Sequence, residues 1–325
     1  MKRKILELLA SSYEHFISGE TMSRVCGISR AAVWKHIDHL KKEGYNIEAV
    51  TKKGYRLLGN DDMLETVFFR LPKGRLIGSS HIYLEEVGST NAEAKAAAKD
   101  YKDGSVVISD SQTAGKGRLG RCWDSTKGKG IWLSLILKPR ISMADAMILT
   151  QMAGASVCDA LQMAGYEARI KWPNDVVIQG RKVCGILAEM TGEPEQLNYV
   201  ILGIGINVNQ DASDFPEELK DKALSLKMAG SVETSRNSIL DSLLERLEHY
   251  YALVKNNDTA EIITFCRNNS ATLDNQVKVI YNDKTIEGKA INLNENGGLI
   301  IEDQAGHTME IISGEVSVRG LYGYV

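Results

Sequence analysis

The loop from Thr113 to Trp123, TAGKGRLGRCW, combines three glycines with three cationic side chains and ends on a tryptophan. Its glycines let backbone N–H groups approach a ligand closely. Lys116, Arg118 and Arg121 can together neutralise a carboxylate and a phosphate. Because Lys116 is followed by Gly117 and not by serine or threonine, this is not a Walker-type triphosphate loop. The alternative interpretation is a flexible, solvated basic loop.

A second group of polar residues lies in KWPND, residues 171–175. A carboxylate beside a carboxamide, here Asp175 beside Asn174, can hold hydrated Mg²⁺ through oxygen ligands. The turn signal at residues 179–181 predicts that Lys182 lies on a strand paired with the one begun by Asp175. Its ammonium group would then point toward the same cavity. The alternative is a plain hairpin in which Asn-Asp forms a turn and Lys182 is an exposed cation.

Polar side chains suited to contacts with a small ligand precede or follow predicted elements elsewhere. They are Ser89, Asn91, Gln112 and Asn207. GSTN at 88–91 opens a predicted helix, and Thr90 and Glu93 have the spacing of a capping box. GIGINVN at 203–209 lacks the third glycine of a dinucleotide fingerprint, so close approach of the backbone to a ligand is the remaining functional interpretation.

Neither a Ser/His/Asp nor a Cys/His arrangement occurs, and the six histidines are scattered. The chemistry indicated is therefore positioning plus positive charge, without a covalent intermediate on the protein. Five scattered cysteines without metal-ligand spacing are typical of reduced thiols in a cytoplasmic protein. No apolar run is long enough to span a bilayer and the N-terminus is not a secretory signal, so we expect no membrane partner.

The first 60 residues carry 11 Lys and Arg against 6 Asp and Glu, although the whole chain has a net charge of −3. Helical patterns before and after Gly27 are followed by a hairpin pattern with a basic tip, which predicts a winged helix-turn-helix. Such a basic segment on an acidic body favours a polyanion partner. We expect these residues to contact DNA: Ser29, Arg30, Ala31, Trp34, Lys35, Lys52 and Lys53. The alternative is a winged helix that serves only as a protein-interaction module.

Helix patterns at 90–102, 143–164 and 235–256 alternate with six strand patterns between 105 and 206. Short turns between successive strands predict an α/β domain with a mixed sheet. From residue 271 five short alternating stretches predict a small β domain. The predicted domain boundaries are 1–60 for the winged helix-turn-helix, 61–80 for a linker, 81–270 for the α/β domain and 271–325 for the β domain.

The ordered set GSTN, SQTAGKGRLGRCW, KWPND, GRKVCGILAE and GIGINVN resembles the bifunctional biotin–protein ligase and biotin-operon repressor family. The resemblance covers essentially the whole chain. It implies a class II synthetase-like catalytic domain and a C-terminal SH3-like β-barrel. It also implies activation of biotin by ATP and Mg²⁺ to biotinyl-5′-AMP, followed by transfer to a lysine of the biotin carboxyl carrier protein of acetyl-CoA carboxylase.

By motif position the resemblance implies a role for each polar residue of the α/β domain. The biotin contacts are Ser89, Thr90, Asn91, Gln112, Lys116, Gly117, Arg118 and Lys182, of which Arg118 and Lys182 are catalytic. The nucleotide contacts are Arg121, Trp123, Asn174 and Asn207, and Asp175 would bind Mg²⁺. The family usually has arginine at the position of Lys116. Lysine keeps the charge but not the planar, bidentate guanidinium.

The resemblance further implies that biotinyl-AMP acts as corepressor by promoting a homodimer that binds operator DNA. Two alternatives remain open at this stage. One is a ligase of another acid, such as lipoate, on a related scaffold. The other is a transcription factor whose α/β domain only senses a ligand.

Overall fold

The computed structural model of the chain describes residues 1–13, 15–58, 62–281, 284–312 and 315–318. Within them the chain forms two compact units. The first comprises Met1–Arg75 with Ser235–Leu240, and the second comprises Leu76–Thr234 with Asp241–Val325. Each unit is described by itself.

The first unit is a helix-turn-helix followed by a two-stranded wing. Its elements are α1 (Lys2–Ser11), α2 (Gly19–Cys26), α3 (Arg30–Lys42), β1 (Ile47–Val50), β2 (Gly54–Leu57) and α4 (Glu65–Phe69). Gly27 ends α2 with a φ of 70°, a conformation that favours glycine. The hydroxyl of Ser29 accepts from the N–H of Ala32 and caps α3. The predicted winged helix-turn-helix is therefore confirmed.

One apolar cluster holds the helices and the wing of this unit together. Its members include Ile5 and Leu9 of α1, Met22 of α2, Ile37 of α3 and Leu57 of β2, each exposed by 2% or less. The side chains of α3 therefore divide between this core and an outer face. Residues 62–75 were expected to belong to a linker, but they contain the helix α4, most of whose residues are buried. The domain boundaries stay predictions.

The second unit is built on a mixed seven-stranded sheet in the order β3-β4-β5-β9-β8-β7-β6. Its strands are β3 (His81–Leu84), β4 (Ser105–Ser109), β5 (Gly130–Leu137), β6 (Arg169–Lys171), β7 (Asp175–Ile178), β8 (Arg181–Glu193) and β9 (Gln196–Asn207). Only β3 and β4 pair in parallel among the pairings described. The predicted mixed sheet is confirmed, although β3 was not predicted.

The remaining helices are α5 (Thr90–Ala97), α6 (Met147–Met163), α7 (Leu226–Gly230), α8 (Arg236–Lys255) and α9 (Ala260–Asn268). Of these, α5 and α6 pack on strands of the sheet. The expectation of a capping box at the start of α5 is wrong. Ser89 precedes the helix without a side-chain cap, because the hydroxyl of Thr90 bonds Gln112 instead of the first turn.

The C-terminal β domain is an antiparallel sheet in the order β13-β12-β11-β10-β14. Its strands are β10 (Gln276–Tyr281), β11 (Lys284–Leu293), β12 (Leu299–Glu302), β13 (Thr308–Ile311) and β14 (Glu315–Val318). These match the five predicted stretches, and the chain after Val318 lies outside the described residues. No helix in the described part of the chain is long and apolar enough to cross a membrane.

Candidate functional site

Two adjoining cavities open on the second unit, one of about 480 Å³, the larger cavity, and one of about 50 Å³, the recess. Five residues line both: Gly117, Arg118, Trp123, Asn174 and Lys182. The recess is completed by strand β9 and by the predicted polar residues Ser89, Thr90, Asn91, Gln112 and Lys116. The larger cavity is completed mainly by Arg121, Asp175 and Asn207 among the predicted residues.

A buried hydrogen-bond network shapes the recess. Thr90 donates to the side-chain oxygen of Gln112 through its backbone N–H at 2.8 Å and its hydroxyl at 3.1 Å. Ser134 of β5, which is fully buried, lies within hydrogen-bond distance of Thr90 Oγ1 and of Asn91 Oδ1. Asn91 donates in turn to the carboxylate of Glu189 on β8 at 2.7 Å. The polar floor of the recess is thus fixed by side chains from α5, β5 and β8 and by Gln112, which follows β4.

The wall between the two cavities carries the two side chains expected to be catalytic. Lys182 Nζ lies 2.6 Å from Asp175 Oδ1 across paired strands β7 and β8. Arg118 donates to Asn174 Oδ1 at 3.0 Å, and Asn174 itself donates to the carbonyl of Ile186. Two cations are therefore held at the border of a polar recess and a larger cavity, where they can stabilise charge that develops between two bound anions.

Trp123 lies across a pair of glycines that face each other on β8 and β9. A Cβ atom built on Gly185 would lie 2.6 Å from the indole, and one on Gly205 would lie 2.7 Å from it. The ring of Trp132 packs edge-on against that of Trp123, with 6.3 Å between the ring centroids. Lys182 Nζ lies 5.3 Å from the centroid of the Trp123 ring. The glycines are required here because any side chain would occupy the position of the indole.

The basic loop reaches the cavities through a short irregular turn. Residues Arg118–Gly120 form a single 3₁₀ turn in which Leu119 has a φ of 56° and is 73% exposed. Lys116 pairs with Cys122 across the turn, and Gly115 packs so closely on the carbonyl of Trp123 that a Cβ atom would lie 2.4 Å from it. The base of the loop is thus fixed, while its tip is exposed.

All residues predicted in the α/β domain line one or both cavities, although their roles stay predictions. The sequence reasoning did not single out Lys171, which lines the larger cavity and is only 5% exposed, or the lining cations Lys222 and Lys278. It also missed Ser134 and Glu189, which hold Asn91. The position of Lys171 within KWPND was an available signal, whereas the partners of Asn91 depend on strand pairing.

The carboxylates that line the larger cavity are those of Asp175, which pairs with Lys182, and of Asp124. The described residues contain no cluster of three or more His, Cys, Asp or Glu side chains that could bind a metal ion. Mg²⁺ is usually held by one or two carboxylates together with substrate phosphates and water, so this donor set fits Mg²⁺ bound jointly with a nucleotide. The amide oxygen of Asn174 beside it accepts from Arg118.

Burial disfavours the thiolate form of the cysteines inside the second unit. Burial raises the pKa of the Cys184 thiol above its usual range, and it raises the pKa of Cys158 to about 12. Cys122 is exposed and lines the larger cavity, and among the described residues that line the two cavities there is no histidine. The expectation of catalysis without a covalent intermediate on the protein stays a prediction.

The predicted DNA contacts of the first unit lie at the start of α3, along α3 and at the turn between β1 and β2. Ser29, Arg30, Ala31, Trp34, Lys35, Lys52 and Lys53 are all exposed. A groove of about 540 Å³ runs between α3 and the wing and is lined by Arg30, Trp34 and Lys52 among others. Trp34 is 58% exposed and Lys53 Nζ lies 5.7 Å from the ring of Phe16. An exposed helix face beside a basic wing suits the grooves and phosphates of a duplex.

Three segments of the chain match known protein families. The Biotin/lipoate A/B protein ligase family matches residues 83–207, an HTH domain matches 2–56, and the Biotin protein ligase C terminal domain matches 272–319. The Bifunctional ligase/repressor BirA of Bacillus spizizenii is 38% identical, covering 94% of this chain and 95% of its own. The BirA of Escherichia coli is 30% identical, covering 97% and 96%.

A solved structure of the biotin protein ligase from Aquifex aeolicus in complex with biotin and ATP superposes with a TM-score of 0.64 at 33% identity. The match covers 74% of this chain and 98% of that one. Together with the relatives that match over nearly their full length, it shows that this chain belongs to the family of bifunctional biotin protein ligases and repressors.

Proposed function

We propose that the chain joins biotin to a carrier protein in two steps at the two adjoining cavities. In the first, a carboxylate oxygen of biotin attacks the α-phosphorus of ATP, and pyrophosphate leaves from the biotinyl-5′-AMP that forms. In the second, the ε-amine of a carrier lysine attacks the acyl carbon of this mixed anhydride, and AMP leaves. The carrier is the biotin carboxyl carrier protein of acetyl-CoA carboxylase.

The observation that carries this proposal is the location of Arg118 and Lys182 on the wall shared by the recess and the larger cavity. Biotin in the recess and ATP in the larger cavity would bring two anions together at that wall. Fixed cations offset their repulsion and stabilise the charge gained by the phosphorus in the transition state. Holding both reactants in place also removes much of the entropic cost of the encounter.

The remaining assignments follow from the linings of the cavities. Thr90, Asn91 and Gln112 would hydrogen-bond the ureido ring of biotin, and Trp123, Asn174 and Asn207 would hold the adenylate. Mg²⁺ bound by Asp175 would neutralise phosphate charge when present. A tryptophan and an exposed basic tip over the adenylate would also keep water from hydrolysing it.

The first unit supports a second activity, repression of genes for biotin synthesis and uptake. Its exposed α3 face and wing would bind operator DNA, with Arg30 and Lys35 near the bases and Lys52 and Lys53 on phosphates. Biotinyl-AMP would act as corepressor by promoting a homodimer, which a two-fold operator requires. We expect both activities in the cytoplasm.

The test is to incubate the full chain with labelled biotin, ATP, Mg²⁺ and a biotin carrier domain, and to measure pyrophosphate release and label transfer. Lys182→Ala and Arg118→Ala should each reduce pyrophosphate release at least about 100-fold, the usual scale for one transition-state charge contact. Lys127→Ala is the matched control, because this exposed lysine pairs with Glu85 at the surface and lines neither cavity.

Three outcomes would contradict parts of this assignment. Pyrophosphate release by Lys182→Ala near the unmutated rate would refute the catalytic assignment. Transfer of lipoate in preference to biotin would refute the substrate. DNA binding by the full chain that does not respond to biotin with ATP, measured by gel shift and by sedimentation, would refute the regulatory proposal.

A further inference from the structure

The side chain of Asn207 lines the larger cavity at the end of β9 and is held at both ends of its amide. Its nitrogen donates to the carbonyl of Leu224 at 3.3 Å, and its oxygen accepts from the side-chain nitrogen of Gln210 at 3.1 Å. A carbonyl can only accept and an NH₂ group can only donate, so these two partners allow a single orientation of the amide. Asn207 is 4% exposed, which makes a lost partner costly.

Gln210 contacts Asn207 but does not itself line the larger cavity. It is 2% exposed, and its backbone carbonyl accepts from the hydroxyl of Ser225 at 2.6 Å. That hydroxyl also accepts from the N–H of Met228 and so caps α7. The side-chain oxygen of Gln210 is buried without a hydrogen-bond partner among the described residues. The one polar contact made by the Gln210 side chain in the described structure is therefore the one to Asn207.

We propose that Gln210 is a positioning residue that sets the purine specificity of the larger cavity through Asn207. This inference rests on the proposed use of ATP. With one partner at each end, the amide of Asn207 keeps one acceptor position on its oxygen and one N–H on its nitrogen. Adenine offers the matching pair, an amino group at position 6 beside an acceptor ring nitrogen, and carboxamides bind it in this bidentate way.

The fixed orientation of the Asn207 amide is what distinguishes adenine from guanine. Guanine carries a carbonyl at position 6, so in the fixed orientation two acceptor oxygens would face each other. Without Gln210 only the 3.3 Å bond to the carbonyl of Leu224 would oppose a turn of the amide that presents its nitrogen to the guanine carbonyl. Discrimination therefore depends on both partners of Asn207, of which Gln210 makes the shorter bond, and not on Asn207 alone.

Two substitutions separate these effects. Gln210→Met keeps nearly the same volume and removes the donor, which leaves Asn207 held at only one end. Gln210→Glu in its ionised form replaces the donor by an acceptor. A carboxylate would attract the nitrogen of Asn207 and repel its oxygen, which favours the inverted amide against the bond to Leu224. Gln162→Met is the matched control, since Gln162 also donates to protein oxygens, but at Ala168 and Asn269 outside the cavity lining.

The measurement is kcat/KM for pyrophosphate release by the full chain with biotin and one of three nucleotides: ATP, GTP, or purine riboside triphosphate, which lacks the 6-amino group. The unmutated protein should prefer ATP to the purine riboside nucleotide by about tenfold, the value of one hydrogen bond in a buried site. In Gln210→Met this ratio should fall to about two- or threefold, and in Gln210→Glu the relative use of GTP should rise by about tenfold.

The ratios isolate the proposal from a general loss of structure. An overall fall in activity that leaves both ratios at the unmutated values would overturn it, whatever the thermal stability of the variants. The same holds if Gln162→Met changes the ratios as much as Gln210→Met does. Absence of pyrophosphate release by the unmutated protein with biotin and ATP would instead refute the proposed function on which the inference rests.

Discussion

Replacing Gly203 by alanine tests whether the recess depends on the fixed position of Asn91. A Cβ atom on Gly203 would lie 2.2 Å from Asn91 Oδ1 and 2.9 Å from its Cγ. Gly203 has an ordinary extended conformation within β9, so the conflict is between side chains and not in the backbone. Asn91 would have to retreat by about 1 Å to reach normal contact.

The size of the effect follows from what Asn91 would lose. Its bonds to Glu189 at 2.7 Å and to Ser134 at 2.6 Å cannot both survive that displacement. Losing one of these bonds costs about 0.5–3 kcal/mol in the free energy of unfolding, and losing both costs about 2–4 kcal/mol. If the recess binds biotin, its dissociation constant should rise at least about tenfold, which corresponds to about 1.4 kcal/mol.

Both quantities can be measured, by denaturant unfolding and by calorimetric titration with biotin. Gly154→Ala is the control, because its Cβ atom would lie 3.6 Å from the nearest atom, in normal contact, and alanine favours the helix α6. Gly203→Ala with Asn91→Ala should destabilise the protein less than the sum of the single changes, since the atoms that collide are gone. Unmutated stability and biotin affinity in Gly203→Ala would refute this account of the recess.

Three further predictions concern the first unit. Gly54→Ala should destabilise the first unit and weaken DNA binding more than Gly27→Ala does. A Cβ atom on Gly54 would lie 2.1 Å from the carbonyl oxygen of Ile17, whereas no atom lies within 4 Å of a Cβ atom on Gly27. Denaturant unfolding and gel shifts measure the two effects, and equal effects of the two substitutions would contradict the prediction. Burial raises the pKa of Glu65 above its usual 4.5, so the folded state binds the proton more tightly and stability falls as pH rises through the folded pKa. The advantage of Glu65→Gln in unfolding free energy should therefore grow as pH rises from 4.5, and a difference independent of pH would argue against it. Lys52→Ala should lower the slope of log affinity for operator DNA against log salt by about 0.9, one phosphate contact, whereas an unchanged slope would remove Lys52 from the interface.

Local signals were enough for the helix-turn-helix and for the hairpin that carries Lys182. Gly27 adopts the predicted left-handed conformation, and the turn between β7 and β8 has positive φ at both Gln179 and Gly180. In such turns the residue type dictates the backbone, and the backbone fixes the register of the flanking strands. The sequence therefore predicted that Lys182 and Asp175 would share a cavity.

Contacts between distant strands could not be predicted in this way. Gly185 and Gly205 become a platform for Trp123 only because β8 and β9 pair in the register that places them opposite each other. Likewise Asn91, expected to face a ligand, donates to Glu189, which is 98 residues away. Such pairings depend on the register of the whole sheet, which no local pattern encodes.

The wide separation of these partners has a consequence for how the protein folds. The recess joins residues from α5, β5, β8 and β9, and β5 pairs with β9 across some sixty intervening residues. Few of its walls exist until these long-range pairings have formed, and such pairings are the slow part of folding. A ligand of the recess should thus slow unfolding, because it binds only the completed sheet, yet leave the folding rate unchanged.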